Sequence, residues 1–350
     1  QLANVWNLDF DLVEMPAEED AELLVGNGAY EVTDFVQDEY ITLVAREDYA
    51  AGPAPSVETV TVRWIPDALA SVQALQNGEV DLIQPQATAD ILDALSAIDG
   101  VTVETNDEAV YEHIDLNMAN GGPFDPATYG GDADTAKAVR QAFITGIGQQ
   151  EIIDKLIAPL NPEAAPLQSQ MFLASDSNYA DAAANNGSDQ FGQGDLEGAK
   201  AILDAAGVEY PIDVNVLDAL GNTRREQEFV IYQEQLAGVF NLIDGGNESW
   251  GSLLGTPEYD AWFFGWQSTS TSPLGAESIF RSDGGSNFTG YANDTVDELY
   301  TQLSGEFDVD AQIELQKQID AELWNDAYGI TIFQCPGVTA DDSEMTGVDT

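Results

Sequence analysis

Three groups of residues in this sequence have types and spacing that could do chemistry. Cys335 is the single cysteine and His113 the single histidine. One thiol rules out a disulfide within the chain and a thiolate metal cluster, and one imidazole makes any Ser/His/Asp triad depend on His113. His113 stands between Tyr111 and Asp115 in an alternating run and reads as structural. The third group is the stretch Pro257–Tyr291. It opens on the apolar run Tyr259–Trp266 and breaks into Gln267-Ser268-Thr269-Ser270-Thr271-Ser272, closed by Pro273. A strand that delivers a tryptophan and small hydroxyls to one loop gives apolar walls with a few placed polar groups, the make-up of a small-molecule pocket. The plainer reading of the same letters is a core strand followed by a surface turn.

Acid chemistry is bounded by abundance. The chain carries 63 Asp and Glu against ten Lys and Arg, a formal charge of −53. Such a surface repels nucleic acid and anionic lipid, so neither is expected as a partner. It also repels itself, and salt relieves that repulsion. A protein of a salt-loving organism and an acidic extracytoplasmic protein of a high-GC bacterium both fit. A polysaccharide hydrolase needs two carboxyls at a set separation, but with so many acids a pair arises by chance. Only Asp260 and Glu277 flank the Trp262–Trp266 platform. Asp132/Asp134 and Asn185–Asp195 miss the calcium-loop spacing and read as caps and turns. No metal or cofactor is expected. The sequons at Asn186, Asn247, Asn287 and Asn293 are too common to weigh.

The elements that must position these groups follow from periodicity. The chain has 350 residues, enough for two or three domains. No apolar run is long enough to span a bilayer, and Gln1 opens on a mixed polar segment without a secretory-signal pattern, as expected of a mature or truncated form. A turn at Gly26–Tyr30 leads into a hairpin through Val32, Phe35, Ile41 and Leu43. A β-α-β-α-β order follows: a strand at Val60–Trp64, a helix from Pro66 to Gly78, a strand at Val80–Ile83, a helix capped by Thr88, and a strand at Val101 and Val103. Tyr111–Asn117 alternates again. Helices start at Asp134 and near Ile152, and residues 158–194 form a long irregular stretch, functional or a surface excursion. Asp195 caps a helix closed by Gly207, and Ile212–Val216 is a strand. Thr223-x-x-Glu226 reads as a capping box opening a helix to about Phe240. A short strand near Trp250, the central stretch, two helices and a last strand at Ile330–Phe333 complete the order. The fold class is α/β.

Several passages, in this order, resemble one family. Val25–Tyr30 is similar to a G-T-G-P-Y turn, with Asn27 for Thr and Ala29 for Pro. Ala68–Ile83 is similar to a helix followed by x-G-E-x-D. Leu116-Asn117 with Val139-Arg140-Gln141-Ala142-Phe143 matches F-N…V-R-Q-A-L. Leu196–Gly207 matches A-x-x-L-L-x-x-A-G. Tyr259-Asp260 to Trp266, with Asn287–Tyr291 and Val296-Asp297, matches Y-D-x-x-x-x-G-W…N-x-x-G-Y…V-D. The chain resembles the family 5 extracellular solute-binding proteins, the dipeptide/oligopeptide-binding type that feeds ABC importers.

The resemblance implies a type II periplasmic-binding-protein-like fold, mixed sheets with flanking helices, whose two lobes close on a ligand. The first lobe would be residues 1–112 plus 335–350 and the second 113–334, with crossovers near Glu112–Asn117 and Phe333–Gly337. The family's N-terminal portion has no counterpart here, so the first lobe is expected to be incomplete. The implied function is capture of a peptide or other small polar solute without catalysis, and delivery to a membrane ABC permease. The full-length protein would be an extracytoplasmic monomer, periplasmic or lipid-tethered. Candidate ligand contacts are Trp266, Gln267, Ser268, Thr269, Gln84, Gln86, Asn117 and Phe333, with Gln334 beside the last. Peptide-binding members carry an Asp shortly after the G-W pair that anchors the free amine, and Thr269 occupies that place. A hydroxyl cannot offset a buried ammonium. The implied ligand is therefore an uncharged solute such as a sugar, or a blocked or cyclic peptide. A carboxylate-dependent hydrolase is the alternative.

Overall fold

In the computed structural model, residues 28–268 and 272–348 are described. The chain falls into two compact units, Gln1–Pro85 and Gln86–Thr350. In the first, β1 (Tyr30–Val36), β2 (Tyr40–Ala45) and β3 (Thr59–Arg63) pair antiparallel in that order. Val32 lies opposite Leu43 and Leu43 opposite Val60; Phe35 lies opposite Ile41 and Ile41 opposite Val62. Alternation, with a register shift between Val32 and Asp34, thus puts these apolar residues on one face. The hairpin forms as the alternation predicts. The strand at Val60 differs from expectation: it closes this antiparallel meander and opens no β-α-β unit. Its alternation matches that of β2, and antiparallel pairing needs no crossover helix. Helix α1 (Ala68–Gln76) is capped by Asp67, which accepts from Ala70 N at 2.7 Å. It buries Val72 and Leu75, and β4 is the two-residue strand Leu82–Ile83.

The second unit begins with α2 (Ala89–Ser96), capped by Thr88 and burying Ile91 and Leu95. Strand β5 (Val101–Leu116) is one element where two separate strands were expected. The final strand explains the fusion: β9 (Gly329–Asp342) pairs antiparallel along both parts of β5, from Val101 opposite Asp342 to Asp115 opposite Gly329. Between them come α3 (Ala133–Gly146), α4 (Leu196–Ala206), β6 (Ile212–Leu217), α5 (Thr223–Leu236), β7 (Phe240–Asp244), β8 (Ala261–Gln267), α6 (Asp294–Gly305) and α7 (Val309–Asn325). Within the unit the strands lie in the order β9-β5-β8-β6-β7. β5 is antiparallel to both neighbours, while β6 is parallel to β7 and β8, so the sheet is mixed.

Caps and breakers set the helix ends. Asp195 caps α4, and Gly207, at φ 71°, closes it. Asp132, two residues ahead of the expected start, caps α3 by accepting from Asp134 N and Thr135 N. At α5 the cap is Asn222, not Thr223; its side chain accepts from Arg225 N, and Glu226 turns back to accept from Gly221 N at 3.2 Å. The helix stops at Leu236 because Gly238 takes φ 82°, a left-handed conformation that glycine adopts without strain. Phe240 then starts β7, and the strand expected near Trp250 is a 3-10 turn, Trp250–Leu253.

Among the described residues three apolar clusters hold the second unit, one of them Leu217, Trp262 and Phe264. Phe143 and Ile144 of α3, Leu203 of α4, and Tyr232 and Leu236 of α5 pack with Phe263 and Ile330 of the sheet. Val296 and Tyr300 of α6 pack against Ile319 and Leu323 of α7 and against Tyr328. Each such side chain contributes about 1.5–3 kcal/mol when fully removed from water. Among the described residues no helix is long and apolar enough to cross a membrane.

Candidate functional site

The end of β8, the start of β5's central stretch, one loop and α7 enclose a cavity of about 650 Å³ in the second unit. Trp266, Gln267 and Ser268 come from β8 and its exit, and Ala109 and Tyr111 from β5. The two strands are in register here: Tyr111 lies opposite Trp266, and Ser268 N donates to Ala109 O at 2.7 Å. The loop contributes Ser169 through Leu173 and Ser175 through Asn178. Helix α7 contributes Val309, Gln312, Ile313 and Gln316, which share one helix face at spacings of three and four.

A buried carboxylate builds the loop wall. Asp320 of α7 is 0% exposed and accepts from Ser169 Oγ at 2.7 Å, Gln170 N at 2.8 Å and Asn186 Nδ2 at 2.8 Å. Ser169 in turn accepts from Met171 N and Phe172 N. Burial pushes Asp320 up to about 6 against the opposing pull of these hydrogen bonds. A second tie comes from Gln334, which accepts from Ser175 N at 3.1 Å and donates to Ser175 Oγ at 3.1 Å and to Glu108 O at 2.8 Å. The irregular stretch is therefore fixed to α7, β5 and β9 at named points.

Trp266 is half-buried and lines the cavity beside other aromatic rings. His113 lies parallel to it at 6.0 Å and 13°, and Phe288 at 6.3 Å and 4°, with Phe264 edge-on at 4.8 Å. The indole Nε1–H is buried and meets no acceptor among the described residues. His113 Nε2 is 3.3 Å from Asp115 Oδ2, but both ring nitrogens lack hydrogen-bond geometry.

Of the residues singled out from sequence, Trp266, Gln267 and Ser268 come together here. Thr269 lies outside the described residues. Asn117 is buried and turned to the backbone: its Nδ2 donates to Tyr259 O at 3.0 Å and Thr256 O at 3.3 Å, so it joins β5 to the entry of β8 and does not line this cavity. Phe333 is wholly buried with the Arg224 guanidinium 5.4 Å from its ring centre, and it too is absent from the lining. Side chains alternate across a strand, and Phe333 points to the core while Gln334 points to the loop. Gln86 is half-buried in the second unit, away from the lining, and Gln84 is an exposed residue of the first unit.

Sequence reasoning missed the loop residues and α7. The length of the irregular stretch was the signal for the first. For the second it was the Val309/Gln312/Ile313/Gln316 spacing, which reads equally as an ordinary half-buried helix face. It also missed a buried charge cluster behind β5. Glu112 accepts from Arg225 Nε at 2.8 Å and Arg224 Nη2 at 2.5 Å, and Arg224 Nε donates to Glu228 at 3.1 Å. Burial pushes Glu112 upward, yet Arg225 and Arg224 hold it below the usual carboxylate range. Burial, then repulsion from Glu112, pushes Glu228 up to about 8.

The chemistry open to the cavity is recognition by neutral groups. Among its described lining residues Asp176 is the single carboxylate, and it accepts from Leu173 N at 2.8 Å. A two-carboxylate hydrolysis would need a second acid beside it. No group of three or more metal-ligating side chains occurs among the described residues.

Comparison with known proteins agrees with this architecture. The chain is 28% identical over 291 residues to the oligopeptide-binding protein AppA of Bacillus subtilis, covering 79% of this chain and 50% of that one. The chain thus spans about half the length of the curated relatives it matches. Among solved structures it is similar to the periplasmic EDTA-binding protein EppA, with TM-score 0.78 and 22% identity over 90% of this chain and 60% of that one. It is also similar to B. subtilis AppA in complex with a nonapeptide, with TM-score 0.73 and 22% identity over 100% of this chain and 68% of that one. These likenesses show a mixed α/β fold of the type II periplasmic-binding-protein kind. The family description "Bacterial extracellular solute-binding proteins, family 5 Middle" matches residues 10–288, and the chain belongs to that family.

Proposed function

We propose that the chain serves as the extracytoplasmic solute-binding component of an ABC importer. It captures a peptide or other small polar solute and hands it to a membrane permease, without catalysis. The observation that carries this reading is the cavity at Trp266: about 650 Å³, apolar-walled, rimmed by carboxamides and hydroxyls, within the size range of small-ligand sites. Membership of a family of extracellular solute-binding proteins supports the extracytoplasmic placement. Work of this kind is differential affinity for solute in the closed state.

The lobes would be residues 1–112 with 335–350, and 113–334. The crossovers would be Glu112–Asn117 and Phe333–Gly337. In support, these stretches are paired neighbours, with Tyr111 opposite Gln334 and Glu112 opposite Phe333, and the pairing is irregular between Glu112 and His113. Such breaks in a ladder mark where strands bend. Ligand contacts are proposed at Trp266, Gln267 and Ser268, with Thr269 next in sequence. The full-length protein would act as a monomer, in the periplasm or tethered by lipid.

Calorimetric titration of the full-length polypeptide in concentrated salt tests the reading, first with a peptide mixture and then with an oligosaccharide mixture. Saturable heat with either supports capture. Slow, unsaturating heat indicates turnover and would replace it with a hydrolase.

A further inference from the structure

We propose that Asp320 is a positioning residue for solute capture: its ionised carboxylate holds residues 169–173 in place as one wall of the cavity, so solute affinity falls when Asp320 takes up a proton. This rests on the solute-binding reading above.

Asp320 does not line the cavity, but the residues it holds do. Ser169 through Leu173 are lining residues, and the carboxylate is 0% exposed behind them. Its Oδ1 accepts from Gln170 N at 2.8 Å. Its Oδ2 accepts from Ser169 Oγ at 2.7 Å and from Asn186 Nδ2 at 2.8 Å. Helix α7 also presents Gln312, Ile313 and Gln316 to the cavity. One helix thus sets its own lining face and the loop wall together.

The three partners are all donors, and none can turn into an acceptor. Ser169 Oγ already accepts from Met171 N at 3.1 Å and Phe172 N at 3.0 Å, which occupies both lone pairs of a hydroxyl. Asn186 Oδ1 accepts from Ser188 N at 3.0 Å, and its Nδ2 donates to Gln168 O at 2.7 Å as well. The amide is therefore fixed with an N–H toward Asp320. Gln170 offers a backbone N–H. Trp324, one turn further along α7, brings another N–H near the carboxylate without hydrogen-bond geometry. A proton added to either oxygen meets a donor and breaks a contact. The network is complete only around a carboxylate ion.

Burial raises this carboxyl to about 6 against the pull of its hydrogen bonds, so the proton arrives in mildly acid solution. The titratable groups on which its charge acts are Tyr111 of β5, Tyr179 of the irregular stretch and Tyr300 of α6. Burial holds all three phenols above their usual range, and they stay neutral in that solution. Tyr300 OH also donates to Met171 Sδ at 3.6 Å, and Gln170 Nε2 to Gly329 O at 3.4 Å. These ties do not involve the carboxylate and keep the loop attached. Protonation thus relieves a buried charge, which favours the folded chain, while it loosens the wall, which disfavours solute. The two effects have opposite signs, and a merely structural role gives only the first.

The test is equilibrium binding to the full-length polypeptide in concentrated salt, from about pH 4 to about pH 7, for the native chain and Asp320→Asn. The probes are a tetrapeptide mixture and an oligosaccharide mixture. For whichever probe saturates the native chain at neutral pH, native affinity is expected to fall about tenfold or more on acidification, the scale of one hydrogen bond to a charged group. Asp320→Asn puts a donor among donors. It is expected to bind about tenfold or more weaker than the native chain at neutral pH, with the ratio of the two affinities shrinking toward one in acid. A ratio independent of pH, or a variant as tight as the native chain at neutral pH, overturns the inference and leaves solute capture standing. Saturation by neither probe counts against solute capture itself and against this inference with it. Amide exchange on the solute-free native chain needs no variant. After correction for intrinsic rates, the Gln170, Met171 and Phe172 N–H groups are expected to lose protection as pH falls through about 6. Unchanged protection overturns the positioning role.

Discussion

Glu112 takes two hydrogen bonds from the Arg225 guanidinium, 2.8 Å from Nε and 3.2 Å from Nη2, with its own side chain 0% exposed. Arg224 donates to the same carboxylate. Glu112 therefore bridges two buried cations at the meeting of β5 and α5, and Arg224 also donates to Glu228 at 3.1 Å. Glu112→Gln keeps the shape and removes the charge. Breaking a buried pair by removing one partner costs about 3–5 kcal/mol. Denaturant unfolding at fixed high salt is expected to show that loss as a lower midpoint with an unchanged slope.

Asp320 gives a pH dependence of definite sign. Its carboxyl is raised to about 6 by burial, so between the ordinary aspartate range and about 6 the folded state holds a proton the unfolded state has lost. Asp320's contribution to stability is therefore greatest at low pH, falls as pH rises through that window, and is level above it. Across the full window the change amounts to roughly 3 kcal/mol. Asp320→Asn removes the titration and replaces an acceptor facing Ser169 or Asn186 with a donor. The stability of the native protein relative to this variant is expected to shrink from pH 4 to pH 7, each measured by thermal unfolding. A difference independent of pH would contradict the assignment.

Trp266 is packed by His113, Phe264 and Phe288, so its loss should register first in stability. Trp266→Ala is expected to cost about 3 kcal/mol, the scale of a large aromatic truncation. Chemical denaturation in the absence of any solute checks this. An unchanged midpoint would mean that the ring is held by nothing but ligand.

Cys335 is 3% exposed on β9, and burial pushes its thiol up to about 12. A thiol that is neither ionised nor reachable reacts slowly. Ellman's reagent is expected to titrate no thiol in the native chain among the described residues and one in denaturant.

Much of the fold was legible because it rests on local rules. Asp67, Thr88 and Asp195 cap helices where the sequence places polar acceptors before apolar periodicity. The hairpin of β1 and β2 follows from alternation. What was misread depended on partners distant in sequence. β5 is one strand because β9 pairs on both sides of a register break between Asp107 and Tyr111, and nothing between Glu104 and Val110 announces that partner. Asn117, at a crossover, reads first as a hinge hydrogen-bonder and second as a ligand contact, and its side chain bonds the backbone of Thr256 and Tyr259; Phe333 is a candidate contact by its place at the other crossover, yet a strand residue's face is decided by register, and it faces the core.

The sequence by itself determined the strongly acidic surface, the family through motifs in order, and the neutral character of residues 267–272. Those properties are carried by residue identity and short spacing. Only the tertiary structure decided which neutral residues share a wall. It brought Ser169 and Gln170 to Asp320 across about 150 positions, set α7 opposite the end of β8, and placed Trp266 beside His113, Phe264 and Phe288. Hydrogen bonds and packing between segments far apart in the chain have no local signature; they exist only once the backbone has closed on itself.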